Sequence, residues 1–212
     1  MLWGGHTGGG LEVRRKPDGS VRLEGLFPYG EQAELSDGGR DGRPLVEIIE
    51  PGAFAYRIGF PDAKNIHLLH GHTFDKPLAS VKERSLMLRD TPKGVEIAAT
   101  ISATILQAQY ARDAVAQIES GLATGISPGF RIPPARVIPR NQAEVIEEGK
   151  VDPASGRHGA IIRRIRSALL YEFSIVTRPA YHGAQIEMRS WQPEAEAPPQ
   201  RTAPHYLNRW RP

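Results

Sequence analysis

Residues 108–134, AQYARDAVAQIESGLATGISPGFRIPP, hold the clearest helical segment of the chain and the serine on which a functional reading turns. Ala108, Ala111, Val115, Ile118 and Leu122 step by three and four residues, so they share one face of a helix. Gln109, Arg112, Asp113 and Gln117 occupy the other face. Gly121 and Gly125 lie where a helix stop belongs. Gly125-Ile126-Ser127-Pro128-Gly129 then matches G-x-S-x-G literally, the pattern of a nucleophile elbow. An elbow needs a helix directly after the serine. Here the helix lies before it, and Phe130-Arg131-Ile132 leads into the helix-hostile Pro133-Pro134. The elbow reading therefore fails on its own structural requirement. What survives is a serine at a helix-to-strand turn, flanked by glycines that let backbone N–H groups approach a substrate oxygen. The plainer alternative is a turn serine that satisfies nearby backbone groups.

Outward from this stretch, the chain reads mostly as strands. Val95, Ile97, Ala99 and Ile101 alternate with Glu96, Ala98 and Thr100, the period of a half-buried strand. Phe173, Ile175 and Thr177 alternate with Glu172, Ser174 and Val176 before Arg178-Pro179. Val21, Leu23 and Leu26 to Tyr29, Leu45 to Ile49, and Ile66, Leu68 and Leu69 suggest three more strands, and Ala53 to Ile58 a short helix after Pro51-Gly52. The strand–helix alternation of a doubly wound fold is absent. The expected class is α+β: a mainly antiparallel sheet or barrel with one long helix and one or two short ones.

The chain has 212 residues, 40% of them apolar, with 22 Gly and 18 Pro, which suits one loop-rich domain. Residues 1–20 read as a flexible N-terminal arm, 21–188 as the folded domain and 189–212 as a disordered Pro-rich tail. The chain contains no Cys, which excludes disulfides, a thiol nucleophile and thiolate metal sites. No apolar run approaches the roughly 20 residues that cross a bilayer, and Met1 to Gly10 lacks the apolar core of a secretory signal. A soluble intracellular protein without membrane partners is expected. The formal net charge of +3 gives little basis for nucleic-acid binding.

Three histidines crowd Ile66-His67-Leu68-Leu69-His70-Gly71-His72-Thr73-Phe74-Asp75. On a strand His70 and His72 share one face and His67 points the other way. Such a cluster can ligate zinc, although neither H-x-H-x-D-H nor H-E-x-x-H is present. One of the three can instead serve as general base to a serine, or all can be polar loop residues. Glu172 interrupts an apolar run, so it needs a partner if buried; otherwise it faces solvent from the outer side of a sheet. Arg163, Arg164 and Arg166 form a basic group, either a solvated face or a source of one oxyanion-holding cation.

Taken in order, five segments resemble the prohead maturation proteases of tailed bacteriophages. They are Gly25-Leu26-Phe27-Pro28-Tyr29-Gly30; Glu47-Ile48-Ile49-Glu50-Pro51-Gly52-Ala53-Phe54; Leu68-Leu69-His70-Gly71-His72 with Lys76-Pro77-Leu78-Ala79; Gly121 through Phe130; and Leu170 through Tyr181. The resemblance spans about Leu23 to Gln185. It implies a serine endopeptidase that processes scaffolding protein and the major capsid protein inside the procapsid, in the host cytoplasm, and then cleaves itself. It implies Ser127 as nucleophile, His72 as general base and Glu172 as the third member, with backbone N–H groups after Ser127 as oxyanion donors. Neither a cofactor nor a metal is implied. The family is related in fold to herpesvirus assemblins, a β-barrel flanked by helices, which act as dimers; a homodimer is thereby implied as well. In assemblins a second His is the third member, which leaves His158 as a rival to Glu172. Two departures stand out: Thr73 replaces the Asp usual after the catalytic His, with Asp75 nearby, and Ala79 replaces the usual Gly. The other reading is a non-catalytic capsid-assembly or scaffolding protein with the same fold.

Overall fold

The computed structural model describes residues 11–38, 43–60, 64–123, 125–148 and 159–177. In chain order these form β1 (Leu11–Arg15), β2 (Val21–Pro28), β3 (Gln32–Ser36), β4 (Leu45–Ile49), α1 (Ala55–Gly59), β5 (His67–His70), β6 (Pro77–Ser80), β7 (Leu86–Thr91), β8 (Gly94–Ile101), α2 (Gln109–Glu119), β9 (Gly125–Arg131), α3 (Arg140–Ala143), β10 (Glu144–Glu148), β11 (Ile161–Ile165) and β12 (Leu169–Val176). The strands make three four-stranded sheets, ordered β1-β2-β8-β7, β10-β11-β4-β3 and β6-β5-β12-β9. Pairing is antiparallel except for β11 with β4 and β12 with β5. The mainly antiparallel α+β expectation holds. The closed barrel does not appear, because hydrogen bonding among the described residues leaves each sheet with two edge strands. The stretch read as an N-terminal arm contains β1, whose Val13 pairs with Leu23. His158 and the segment read as a Pro-rich tail lie outside the described residues.

The alternation in β8 does what its period demands. Val95, Ile97, Ala99 and Ile101 are buried and register against Phe27, Gly25, Leu23 and Val21 of β2. This face joins a single large core with Leu68, Ile126, Phe173 and Ile175 from the third sheet and Ala111, Ala114, Val115 and Ile118 from α2. Rings anchor its centre: Phe27 lies 5.6 Å from Phe173, and Phe54 lies 5.7 Å from Phe130 and 6.2 Å from Phe173. Phe27, Phe54 and Phe173 are fully buried, and each contributes on the order of 1.5–3 kcal/mol. The helix is the one the sequence indicates, but Leu122 escapes its stripe. Gly121 adopts φ +72° and Leu122 N–H turns back to Gln117 O at 2.8 Å, so the chain leaves the helix and Leu122 is exposed.

The second sheet carries an ionic interior. Arg163, cross-strand from Glu47, donates to Glu47 and to Glu144 at 2.8 Å each. All three are buried. Burial pushes the Glu47 carboxyl up, and Arg163 opposes that. Burial works against the charge of Glu144 too, but Arg163 and Arg140 outweigh it and hold that carboxyl below its ordinary value. Arg164 pairs with Glu147, and Arg166 with Glu50. Within the basic group at 163–166, Arg163 is buried, Arg164 half-buried and Arg166 exposed. Their charges answer carboxylates, an arrangement invisible until β4, β10 and β11 are laid side by side.

Candidate active site

The site is built on the face of the third sheet that points away from the main core. In β12, Phe173 and Ile175 enter the core, so Glu172 and Ser174 emerge on the opposite face. In β9, Ile126 enters the core and Ser127 and Gly129 emerge beside them. The antiparallel register places Ser127 opposite Ser174 and Gly129 opposite Glu172. Directly opposed residues present their side chains on the same face, with Cα atoms about 4.5–5.5 Å apart. Ser127 thus lies within β9, not in a turn. The run that reads as extended after Pro128 begins earlier, at Gly125.

His72 arrives from β5 by a sharp reversal. Gly71 and His72 both take the left-handed conformation, at φ +70° and +58°. For a histidine this backbone costs of order 1–3 kcal/mol and persists only when its surroundings over-determine it. They do. Gly71 N–H donates to Ile175 O at 3.1 Å. His72 N–H donates to Ser174 Oγ at 2.9 Å. Ser174 Oγ in turn donates to Glu172 Oε2 at 2.7 Å, and Glu172 Oε1 accepts from His72 Nδ1 at 2.6 Å. The four contacts hold both the backbone and the ring of His72 against β12. Its side chain is 14% exposed and that of Glu172 4%. With Nδ1 bound to the carboxylate, Nε2 is the ring atom placed to exchange a proton. The reversal also separates the histidines. The expectation that His70 and His72 share a face is wrong, because it assumes an unbroken strand through Gly71. His70 Nε2 meets Gln117 of α2 at 3.1 Å, and His67 Nε2 meets Asn65 at 3.1 Å.

Ser174 and Gly129 are the participants that sequence reasoning missed. Ser174 is fully buried, and its alternation with Phe173 was the available signal. Gly129 is needed for space. A Cβ there would lie 2.1 Å from Glu172 Oε1 and 2.7 Å from its Cδ, so the carboxylate occupies the volume a side chain would fill. Glu172 cannot swing aside without leaving His72 or Ser174. Gly129→Ala is expected to lower stability by about 1–3 kcal/mol, the range for overpacking a filled interior, measured by chemical denaturation. It is also expected to break the Nδ1 hydrogen bond, read as an upfield move of the His72 Nδ1 proton in NMR.

Ser127 sits beside this assembly. It is 2% exposed, and its Oγ has no hydrogen-bond partner among the described residues. It therefore does not serve local backbone, as a turn serine would. The residue directly after it, Pro128, carries no N–H, so backbone donors following Ser127 begin with Gly129. Glu172 is buried rather than solvent-facing. Burial pushes the His67 imidazole down, and the nearby Glu172 charge partly opposes this. His67 lies opposite Glu172 in the parallel register. No group of three metal-ligating side chains occurs among the described residues.

Sequence comparison adds one match. A family described as caudovirus prohead serine protease matches residues 40–197, a span that includes Ser127, His72, Glu172, Ser174 and Gly129. No curated protein and no solved structure matches the chain.

Proposed function

The chain belongs to the caudovirus prohead serine protease family, and from that premise we propose that it cleaves capsid-assembly proteins with Ser127 as nucleophile, His72 as general base and Glu172 as the group that orients His72. The observation that carries this reading is the Glu172–His72 contact of 2.6 Å on the same sheet face as Ser127, with Ser174 between them. Glu172 fixes the tautomer with the proton on Nδ1 and stabilises the imidazolium. His72 Nε2 takes the Ser127 proton as Oγ attacks the scissile carbonyl, and returns it to the departing amine. Water then hydrolyses the acyl group by the reverse proton path. In catalysis Ser127 and His72 close to roughly 2.6–3.2 Å, a contact that is often looser before substrate binds.

The substrates in this reading are the scaffolding protein, or the scaffolding segment of the major capsid protein, and the chain itself, all within the procapsid in the host cell. A second reading is a capsid-assembly protein of the same fold without proteolysis, favoured by the buried and unpartnered Ser127 Oγ. Co-expression with the capsid and scaffolding proteins of the same phage separates the two. Wild type is expected to shorten them and Ser127→Ala to leave them intact. Equal processing by both would remove Ser127 from the reaction. Absence of processing, together with no labelling of wild type by a fluorophosphonate, would favour the assembly role.

A further inference from the structure

Near the catalytic strands lies a group of cations that the reaction above does not use. In the β9–β12 pairing, Leu170 registers with Phe130 and Glu172 with Gly129. Tyr171 is therefore an extra residue with no partner opposite it, a bulge that aims its ring out of the ladder. Three positive groups surround that ring: Lys64 Nζ at 5.2 Å from its centroid, Arg57 Cζ at 5.6 Å and Arg131 Cζ at 5.8 Å. Arg57 is buried and is fixed by its bonds to Leu170 O at 3.0 Å and Lys64 O at 2.8 Å. Lys64 and Arg131 are exposed. Elsewhere arginines answer carboxylates, as Arg15, Arg22, Arg89 and Arg163 do. Among the described residues no carboxylate lies within ion-pair distance of Arg57, Lys64 or Arg131. The tyrosine face holds the cations in position but carries no charge to offset their mutual repulsion, so an arriving anion gains from all three.

We propose that this cluster is a substrate subsite for an acidic side chain of the polypeptide being cleaved. The proposal rests on the protease reading and adds to it a specificity determinant. Placement sets the distance from the scissile bond. Ser127, Gly129 and Arg131 alternate along β9 and share its outer face. Four residues of strand place Arg131 about 13–14 Å from Ser127. An extended substrate advances at the same rise per residue, so the acidic side chain falls about four residues from the cleaved bond. A carboxylate there meets the planar fork of Arg131, whose geometry suits bidentate bonding, with the Lys64 ammonium beside it.

The test uses the full chain and a library of peptides from a digested proteome, with cleavage positions read by mass spectrometry. Wild type is expected to show Asp and Glu enriched about tenfold, the effect of one charge-assisted bond, at a position three to five residues from the cut. Arg131→Glu is expected to abolish that enrichment and favour Lys or Arg at the same position; Lys64→Gln is expected to reduce it. The exposure of both side chains makes folding of these variants straightforward. In parallel, the inactive Ser127→Ala chain is used to capture peptides from the same library, alone and combined with Arg131→Glu. Loss of acidic peptides from the captured set in the double variant supports the subsite even if turnover is absent, which separates this proposal from the catalytic one. No acidic preference in either cleavage or capture overturns it. So does a preference that survives Arg131→Glu, or a charge reversal that leaves peptides unaffected and removes binding of a DNA oligonucleotide, which would make the cluster a phosphate site.

Discussion

Ser127→Ala is expected to lower peptide-bond hydrolysis by a factor on the order of 10⁶, as loss of the nucleophile does where nucleophile and base act as a unit, while the folded protein becomes no less stable and up to about 1–2 kcal/mol more so. The two halves of this expectation come from the same atom. Ser127 Oγ is buried and has no hydrogen-bond partner among the described residues. A hydroxyl removed from water without a partner is a net penalty to folding, of order 1–3 kcal/mol. Alanine removes the hydroxyl and leaves the strand intact, with position 127 still opposite Ser174. A serine that served only to hold a turn would behave in the opposite way, because its removal would free backbone groups it had satisfied. Hydrolysis of a labelled peptide and the urea midpoint are therefore measured together. A drop in the midpoint at constant slope would show that the hydroxyl is bonded in solution and that its role is structural; unchanged hydrolysis would assign the attack to another group.

Much of the fold is legible where one face of an element meets the core and the other does not. β8 follows from alternation, and α2 from its apolar spacing; β4, buried at every position, reads as an apolar run. What stays hidden is what only pairing creates. β10 and β11 carry Glu144, Glu147, Arg163 and Arg164, whose polarity reads as solvated chain until Arg163 is seen buried between Glu47 and Glu144. The histidines mislead for a related reason: alternation does not continue through Gly71, where two successive residues take the left-handed conformation. At the site, the sequence points to Ser127, His72 and Glu172, with the choice among histidines coming from resemblance and not from spacing. The tasks of Ser174 and Gly129 stay hidden because register sets them. Neither a buried serine that links a backbone N–H to a carboxylate nor a glycine kept small by the opposite strand can be recognised before β9 and β12 are aligned.

Glu172→Gln is expected to lower kcat by about 10⁴, the loss seen when the acidic member of a triad becomes an amide and the wrong imidazole tautomer is stabilised. The geometry here makes the consequence specific. Both carboxylate oxygens accept: Oε1 from His72 Nδ1 and Oε2 from Ser174 Oγ. An amide of the same size accepts through one oxygen only. If that oxygen faces His72, the amide nitrogen meets the Ser174 hydroxyl, which must rotate and then no longer accepts from His72 N–H without competing demands. If it faces Ser174, two donors confront each other at Nδ1, and the ring is driven to carry its proton on Nε2, where it cannot act as a base. Either outcome loosens the strained backbone at His72. A readout independent of turnover lies one strand away. The Glu172 charge raises the His67 imidazole against the downward push of burial. Removing that charge is expected to move the His67 titration to lower pH, while the neutral form that burial favours persists over a wider range. An NMR titration of wild type and Glu172→Gln checks the sign. A lowered His67 titration with unchanged kcat would keep Glu172 where the structure places it and strip it of the catalytic role, whereas an unmoved titration would mean that the Glu172 charge does not act on His67 in the wild-type protein.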